Sequence, residues 1–184
     1  MEGLSAKINL NSRSGAKKIC SRVIQSPLAG ITDSVFRKLV RRWAPDALLF
    51  TQMVHATALN SGNQNTEIDQ LAEEDGPVGV QIFDYRIEAM VEAAKRAEDA
   101  GAFLIDINMG CPARKIAKKG GGSGLLKEPE LAAQIVNKIY NSVKIPVTVK
   151  TRLGWCEKTS DPIKFSLLLQ AAGAQLITIH GRTK

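Results

Sequence analysis

The chain has 184 residues, of which 44% are hydrophobic and 23% are charged, and these values exclude disordered and fibrous proteins. Its 25 basic and 18 acidic residues give a net charge of +7, which suits an anionic partner such as a nucleic acid. No apolar run approaches the ~20 residues of a membrane span and residues 1–18 lack a signal-like apolar core, so we expect a cytoplasmic protein with no membrane partner.

Six apolar, β-branched runs follow one another along the chain, with helical patterns between them. Their hydrophobicity is continuous rather than alternating, which is typical of strands buried on both faces of a parallel sheet. The six runs predicted to be strands lie in residues 20–30, 47–53, 77–83, 102–108, 145–150 and 174–180.

The first predicted helix follows a cap at Thr32 and Asp33. Its apolar stripe consists of Val35, Phe36, Leu39, Val40 and Trp43. Its basic residues, at helical spacing, are Arg37, Lys38, Arg41 and Arg42, and we interpret them as a solvated face. Residues 60–67, "NSGNQNTE", are polar and predict a loop before a short helix.

Three further helices have a clear pattern. One carries the stripe Ile87, Met90, Val91, Ala94 and Ala97, and the next begins at Pro129 and carries Leu131, Ile135, Val136 and Ile139. The last has Pro162 in its first turn and ends at Gly173. Six βα-type units of roughly 30 residues fit either a doubly wound sheet or a TIM barrel.

Polar side chains end four successive predicted strands: Gln81, Asn108, Lys150 and His180. In a TIM barrel all such strand ends meet on one face, where active sites are built. At the mouth of a buried strand the Lys150 ammonium needs an anionic partner, and a reduced flavin is one. The Gln81 amide both donates and accepts, as flavin ring edges require, and His180 is able to donate to ring or phosphate oxygens.

The segment from Asn108 to Gly124, "NMGCPARKIAKKGGGSG", follows the fourth strand. It matches neither a Walker loop nor a dinucleotide fingerprint, and its reactive side chains precede the glycines. The three cysteines, Cys20, Cys111 and Cys156, lack the pairing of a disulfide framework or the spacing of a metal site, so we expect no metal. We interpret Cys20 and Cys156 as buried structural residues and Cys111, in a shaped turn, as the reactive one.

At these motifs the chain resembles the tRNA-dihydrouridine synthases, flavoenzymes with an FMN-binding TIM barrel and a C-terminal helical domain. The segments that carry the resemblance are "SPLAGITD" (26–33), "VGVQIFD" (78–84), "DINMGCPARK" (106–115), "VTVKTRLGW" (147–155) and "TIHGRT" (178–183). Together they span most of the chain in the family's order, and the set is far more specific than any one motif.

The resemblance implies that uridine in tRNA is reduced to 5,6-dihydrouridine, with FMN recharged by NADPH. Cys111 would donate the proton. The FMN contacts would come from Pro27, Leu28, Ala29, Gln81, Lys150 and His180. The uracil or its neighbouring phosphates would meet Asn108, Arg152 and Arg182.

The expected chemistry agrees with that assignment. Hydride addition at uracil C6 leaves negative charge that a proton must quench, and an ordinary thiol is mostly protonated at neutral pH. We interpret the basic, glycine-rich segment behind Cys111 as a mobile lid that admits a flipped-out uridine and touches the tRNA backbone.

Two departures from the family's pattern qualify the resemblance. Ser26 and Leu28 stand where the family commonly has Ala and Met, and Gln52 stands where it has Glu. Because a TIM barrel takes eight strands and ~250 residues, we expect residues 1–184 to be the N-terminal part of the FMN-binding barrel, without its last strands and C-terminal tRNA-binding helical domain. Two alternatives remain: a non-catalytic RNA-binding fragment, and a flavoenzyme resembling dihydroorotate dehydrogenase.

Overall fold

The computed structural model describes residues 7–61 and 66–184, and within them an antiparallel hairpin precedes a parallel sheet. The hairpin strands are β1 (Ile8–Ser12) and β2 (Gly15–Ile19). The parallel strands are β3 (Leu49–Phe50), β4 (Val54–His55), β5 (Val78–Phe83), β6 (Leu104–Asn108), β7 (Val147–Arg152) and β8 (Leu176–His180). The helices are α1 (Ser34–Trp43), α2 (Ala56–Asn60), α3 (Thr66–Asp69), α4 (Ile87–Asp99), α5 (Arg114–Ala117), α6 (Pro129–Ser142) and α7 (Pro162–Ala171).

The strand order separates the two architectures that the sequence left open. The sheet runs β3-β5-β6-β7-β8, with β4 also paired to β5, and all of these pairs are parallel. Neighbours in space are therefore neighbours in sequence, and the order never reverses as it does in a doubly wound sheet. The curled sheet is an incomplete TIM-type barrel, as the sequence predicts.

The two faces of the sheet are buried against different partners. On the outer face, residues such as Val80, Ile105 and Val149 pack with the apolar faces of α4 and α6. On the inner face, Phe50 and Leu104 pack against Leu10 and Ile19 of the hairpin. Each fully buried aliphatic side chain contributes about 1.5–3 kcal/mol. The hairpin therefore fills the inner face near the amino ends of the strands and leaves their carboxyl ends open.

The sequence did not predict this hairpin, and it misjudged the start of the sheet. Residues 20–30 form no strand and contribute one bridge, between Ile24 and Leu48. There the Gln25 side chain accepts a hydrogen bond from the Phe50 backbone N–H, in the place of the backbone carbonyl that a neighbouring strand would supply. The predicted strand at 47–53 is reduced to β3. The four later strands are confirmed as β5 to β8.

Most of the predicted helices are confirmed. In α4, Met90, Ala94 and Ala97 are buried, and in α6, Ile135, Val136 and Ile139 are buried. The helix α7 begins at Pro162, and the short helix expected after the polar loop is α3. Part of that loop, residues 62–65, lies outside the described residues. No helix in the described ranges has the length and apolar character needed to cross a membrane.

The helix α1 corrects the prediction of an apolar stripe opposite a solvated basic face. Asp33 caps the helix as expected, but Val35, Leu39 and Trp43 are exposed and Arg37 is completely buried. Arg37 Nη1 lies 2.7 Å from Glu67 Oε2, and Arg37 Nη2 lies 2.7 Å from Glu74 Oε1. The ion pairs satisfy a charge whose isolated burial would be very costly, so a basic residue occupies an inward position that the hydrophobic pattern assigned to the surface.

The glycine-rich segment is not the mobile lid that the sequence suggested. Residues 121–125 are buried, and Gly122–Lys127 form a 3-10 helix. Ser123 N donates to the Cys111 carbonyl at 3.0 Å. Gly122 has a φ of +54°, and a Cβ placed there would lie 3.0 Å from Cys111 Cβ. The segment is a fixed floor for the Cys111 turn, because only glycine permits so close an approach.

The predictions that two of the cysteines are buried are also wrong. Cys20 is exposed and Cys156 is half-buried, whereas both were expected in the core. Cys111 is half-buried too, so burial does not distinguish it from Cys156.

We expect Arg37→Ala to lower the free energy of unfolding by about 3–5 kcal/mol, because it leaves Glu74 buried without its partner. The matched control is Lys38→Ala on the same helix, whose ion pair with Glu73 is 3.8 Å long and exposed. That change should cost less than about 1 kcal/mol. Urea unfolding measures both values, and equal losses would contradict a structural role for Arg37.

We expect Gly122→Ala to destabilise the chain by about 1–3 kcal/mol more than Gly101→Ala, because its Cβ collides with the Cys111 turn. Gly101 also has a positive φ, of +94°, but a Cβ there meets nothing within 4 Å. Both changes place alanine at a positive φ, and only Gly122→Ala adds a close contact. Urea unfolding and the backbone amide shift of Cys111 are the measurements, and similar behaviour of the two variants would refute the floor.

Candidate active site

A cavity of about 260 Å³ opens toward the carboxyl ends of β5 to β8. It gathers residues that are far apart in sequence, from the loop before α1, from the strands and from the turn after β6. Its lining consists of Pro27, Leu28, Ala29, Met53, Gln81, Asn108, Gly110, Cys111, Pro112, Lys150, Arg152 and His180.

The structure therefore brings together every predicted site residue except one. Arg182 is not part of the lining, although it follows His180 by two residues and is exposed. The Arg182 charge still acts on the site, because its repulsion helps to lower the pKa of Arg152 and of His180. Arg182 thus lies beside the cavity rather than in its wall.

The parallel register explains why these side chains meet. Asn108 of β6 is aligned with Lys150 of β7, and Arg152 of β7 is aligned with His180 of β8. Side chains two residues apart on a strand share a face, so Lys150 and Arg152 point the same way. Gln81 and Lys150 lie within their strands rather than at the ends, which places them deeper than the sequence suggested.

Beneath the cavity, buried polar side chains form one hydrogen-bonded chain. Gln81 Nε2 donates to Asp106 Oδ2 at 2.6 Å, and Asn108 Nδ2 donates to Gln81 Oε1 at 2.8 Å. Asn108 Oδ1 then accepts from the backbone N–H of Gly110 at 3.1 Å and of Cys111 at 2.8 Å. The chain of bonds connects the strand interior to the turn that carries the thiol.

The Cys111 turn is held from both sides. Asn108 Oδ1 accepts a hydrogen bond from the Cys111 backbone N–H, and Ser123 N of the glycine-rich floor donates one to the Cys111 carbonyl. Arg152 Nε donates to the neighbouring Gly110 carbonyl at 2.6 Å, and Arg152 Nη1 donates to the Thr183 carbonyl at 2.9 Å. These contacts fix the backbone of the turn, and the half-buried Cys111 lines the cavity.

The electrostatics of the cavity are dominated by cations. Burial lowers the pKa of Lys150, and the Asp106 carboxylate opposes that shift. Partial desolvation, followed by repulsion from Arg152, Lys150 and Arg182, lowers the pKa of His180 and so favours its neutral form at neutral pH. Among the described residues that line the cavity none is acidic. The site therefore favours a ligand with anionic or electron-rich atoms.

The loop of Pro27, Leu28 and Ala29 is held against the sheet by its neighbours. Leu28 N donates to Thr32 Oγ1 at 3.1 Å, and Thr32 N donates to the Leu28 carbonyl at 3.0 Å. Gln52 Oε1 accepts a hydrogen bond from Gly30 N, while Gln52 Nε2 donates to Glu67 Oε1 at 3.0 Å. Gln52 thus joins this loop to the ion pairs of Arg37.

Sequence reasoning missed Asp106 and could give Gln52 no role. Asp106 precedes Asn108 by two residues, so the two share a strand face, and a carboxylate inside an otherwise apolar strand was an available signal. The role of Gln52 depends on Gly30 and Glu67, which are distant in sequence. The Gln52 amide donates a hydrogen bond to Glu67, whereas a glutamate at position 52 would repel the Glu67 carboxylate.

Comparisons with known proteins show the family of the chain. The family model described as dihydrouridine synthase matches residues 24–184. A probable tRNA-dihydrouridine synthase 1 of Synechocystis sp. is 49% identical over 170 residues, covering 92% of this chain and 48% of the relative. The tRNA-dihydrouridine synthase B of Pasteurella multocida is 38% identical over 176 residues, covering 94% of this chain and 52% of the relative.

The chain spans about half the length of these curated relatives. The matched region contains the half-barrel strands, the Cys111 turn and the whole lining of the cavity. The chain therefore belongs to the dihydrouridine synthase family.

Proposed function

We propose that the chain carries the catalytic half-barrel of an oxidoreductase that reduces uridine in tRNA to 5,6-dihydrouridine, with FMN as cofactor and NADPH as the source of electrons. One observation carries the proposal: Cys111, the half-buried Lys150 and the buried Gln81 line the same cavity in a member of this family. The relatives from Synechocystis sp. and Pasteurella multocida are named as tRNA-dihydrouridine synthases.

The residues of the cavity fit FMN. The isoalloxazine ring needs donors and acceptors along its edge and a cation near N1, where the reduced form carries negative charge. Gln81 offers an amide, Lys150 offers the ammonium, and His180 offers an imidazole near the rim. The loop of Pro27, Leu28 and Ala29 would cover the ring through backbone contacts. No carboxylate of the described lining would repel the phosphate.

In the proposed reaction Cys111 acts as the acid. When bound, FMN supplies the hydride that adds at C6 of uracil, and NADPH restores it. The Cys111 thiol donates its proton to C5, so the C5–C6 double bond becomes single, and the resulting thiolate regains a proton from solvent. The hydrogen-bonded turn keeps the thiol in place while the proton moves, which preserves the geometry that general acid catalysis needs.

The substrate would meet a basic surface. Asn108 and Arg152 line the cavity and would face the uracil, and Arg182 beside them would contact a neighbouring phosphate. Arg114, Lys115, Lys118 and Lys119 are exposed on and after α5, next to the Cys111 turn. A uridine inside a base stack cannot reach the cavity, so these cations would hold the backbone of an extruded nucleotide.

The exposed basic cluster by itself would also suit an RNA-binding protein without catalysis. The two functions differ in their need for a flavin. A purified chain that is yellow, with absorbance near ~450 nm, and that forms dihydrouridine supports the enzyme. A colourless chain that binds tRNA and forms no product supports the binder.

We expect Cys111→Ala to retain FMN binding and to slow dihydrouridine formation about 100-fold or more, because it removes the acid. Cys156→Ala is the matched control, since Cys156 is equally half-buried but lies outside the cavity lining. Each variant is expressed in bacteria that lack their own dihydrouridine synthases, and dihydrouridine in their tRNA is mapped by mass spectrometry. Undiminished product from Cys111→Ala would refute the acid, and no product from the unaltered chain would refute the proposed activity.

We expect Lys150→Met to weaken FMN binding about 10-fold to 100-fold, the value of one charge-assisted hydrogen bond. Lys138→Met, on the exposed side of α6, should leave FMN affinity unchanged. Titration of flavin fluorescence measures both affinities. Equal affinities would show that Lys150 does not hold the flavin.

A further inference from the structure

Asp106 is a buried carboxyl group that lies below the cavity and is absent from its lining. It is 3% exposed, and each of its oxygens accepts one hydrogen bond from a neighbouring strand. Gln81 Nε2 of β5 donates to Oδ2 at 2.6 Å, and Thr148 Oγ1 of β7 donates to Oδ1 at 2.7 Å. The group is therefore built into the centre of the sheet.

Two fixed ends determine the orientation of the amides between them. An ionised carboxylate only accepts hydrogen bonds, and a backbone N–H only donates them. With Asp106 at one end and the N–H groups of Gly110 and Cys111 at the other, a single orientation of the Gln81 and Asn108 amides satisfies every bond. Turning either amide over would set donor against donor and acceptor against acceptor.

The carboxylate is retained at a cost to stability. Burial raises the pKa of Asp106 to about 6, against hydrogen bonds from Thr148 and Gln81 and the charge of Lys150, which lower it. Since its pKa in the unfolded chain is near ~4, the folded state binds more protons between these two values. Ionisation therefore destabilises the fold as pH rises from about 4 to about 6, so stability does not explain why an acid occupies this position.

We infer that Asp106 is a positioning residue of the proposed active site, whose carboxylate orients the Gln81 amide and, through Asn108, the backbone turn that carries Cys111. The inference rests on the proposed function for its purpose, but the coupling it asserts is a property of the chain alone. Asp106 therefore determines which edge of the Gln81 amide would meet a flavin and which edge of the Asn108 amide would meet a uracil. Neither Asp106 nor Thr148 needs to touch a ligand for this role.

The charged groups near Asp106 define what a pH experiment must separate. The strand β7 contributes Lys150, β5 contributes only the uncharged Gln81, and the rim contributes His180, Arg152 and Arg182. The arginines stay charged throughout the accessible range. His180 is the remaining titratable group of the rim, and its pKa is lowered, so a variant has to distinguish its ionisation from that of Asp106.

The test follows nuclear magnetic resonance signals of the unliganded 184-residue chain between pH 4.5 and 8, chosen to bracket the midpoint of about 6. We expect the side-chain amides of Gln81 and Asn108 and the backbone amide of Cys111 to shift with one common midpoint. Asp106→Asn keeps the shape of the side chain but cannot ionise, and should abolish this shared titration. His180→Gln should leave it intact.

A second variant moves the midpoint instead of removing it. Thr148→Val deletes a hydrogen bond that favours the ionised form, so all three signals should titrate together at a higher pH than in the unaltered chain. Independent midpoints, a Cys111 amide that does not respond, or a titration that survives Asp106→Asn would each overturn the inference. Because no cofactor or tRNA is present, these outcomes are distinct from a failure of the proposed catalytic function.

Discussion

Hydrogen bonding among buried polar groups on the inner face of the sheet organises this molecule. The inner face is apolar at the amino ends of the strands, where Phe50 and Leu104 meet the hairpin, and polar two residues further along. There Asp106, Gln81 and Asn108 are almost completely buried, so they find most of their hydrogen-bond partners within the protein. The Cys111 turn is the last member of that chain of bonds, and its position depends on all of them.

The thiol is held in a rigid frame. A mobile glycine-rich lid would leave the turn free to move, whereas the buried segment around Gly122 closes against its carbonyl and its Cβ. On the other side of the cavity, Gln52 connects the loop of Pro27 to the buried ion pairs of Arg37. Rigid support on both sides suits a reaction in which the acid and a ring must be aligned within a fraction of an ångström.

Positive and negative charges lie at different depths in and below the cavity. Cations surround the cavity and extend to its rim, while Asp106 lies underneath and is, among the described residues, the carboxylate bonded to the Gln81 amide. Asp106 partly offsets the effect of burial on Lys150, which keeps the ammonium available to an anionic ligand. A carboxylate in the lining would do the same for Lys150 but would repel an anionic ligand such as the proposed FMN.

Local patterns in the sequence were sufficient for the parallel strands β5 to β8, for the helices α4, α6 and α7, and for the polar residues at the strand ends, whereas the other residues that share the cavity came from the resemblance to a known family. These features depend on the hydrophobic period of 2 or 3.6 residues and on polar groups at strand ends, which are visible within a short segment. Only the tertiary structure decided the burial of Arg37, the packed glycine-rich floor, and the roles of Gln52 and Asp106. Each of these features depends on a partner at least 11 positions away in the sequence, and the nearest pair is Gly122 with Cys111. A charged or polar side chain that prefers water by itself is stable in the interior once such a partner satisfies it, and a short segment does not reveal that partner.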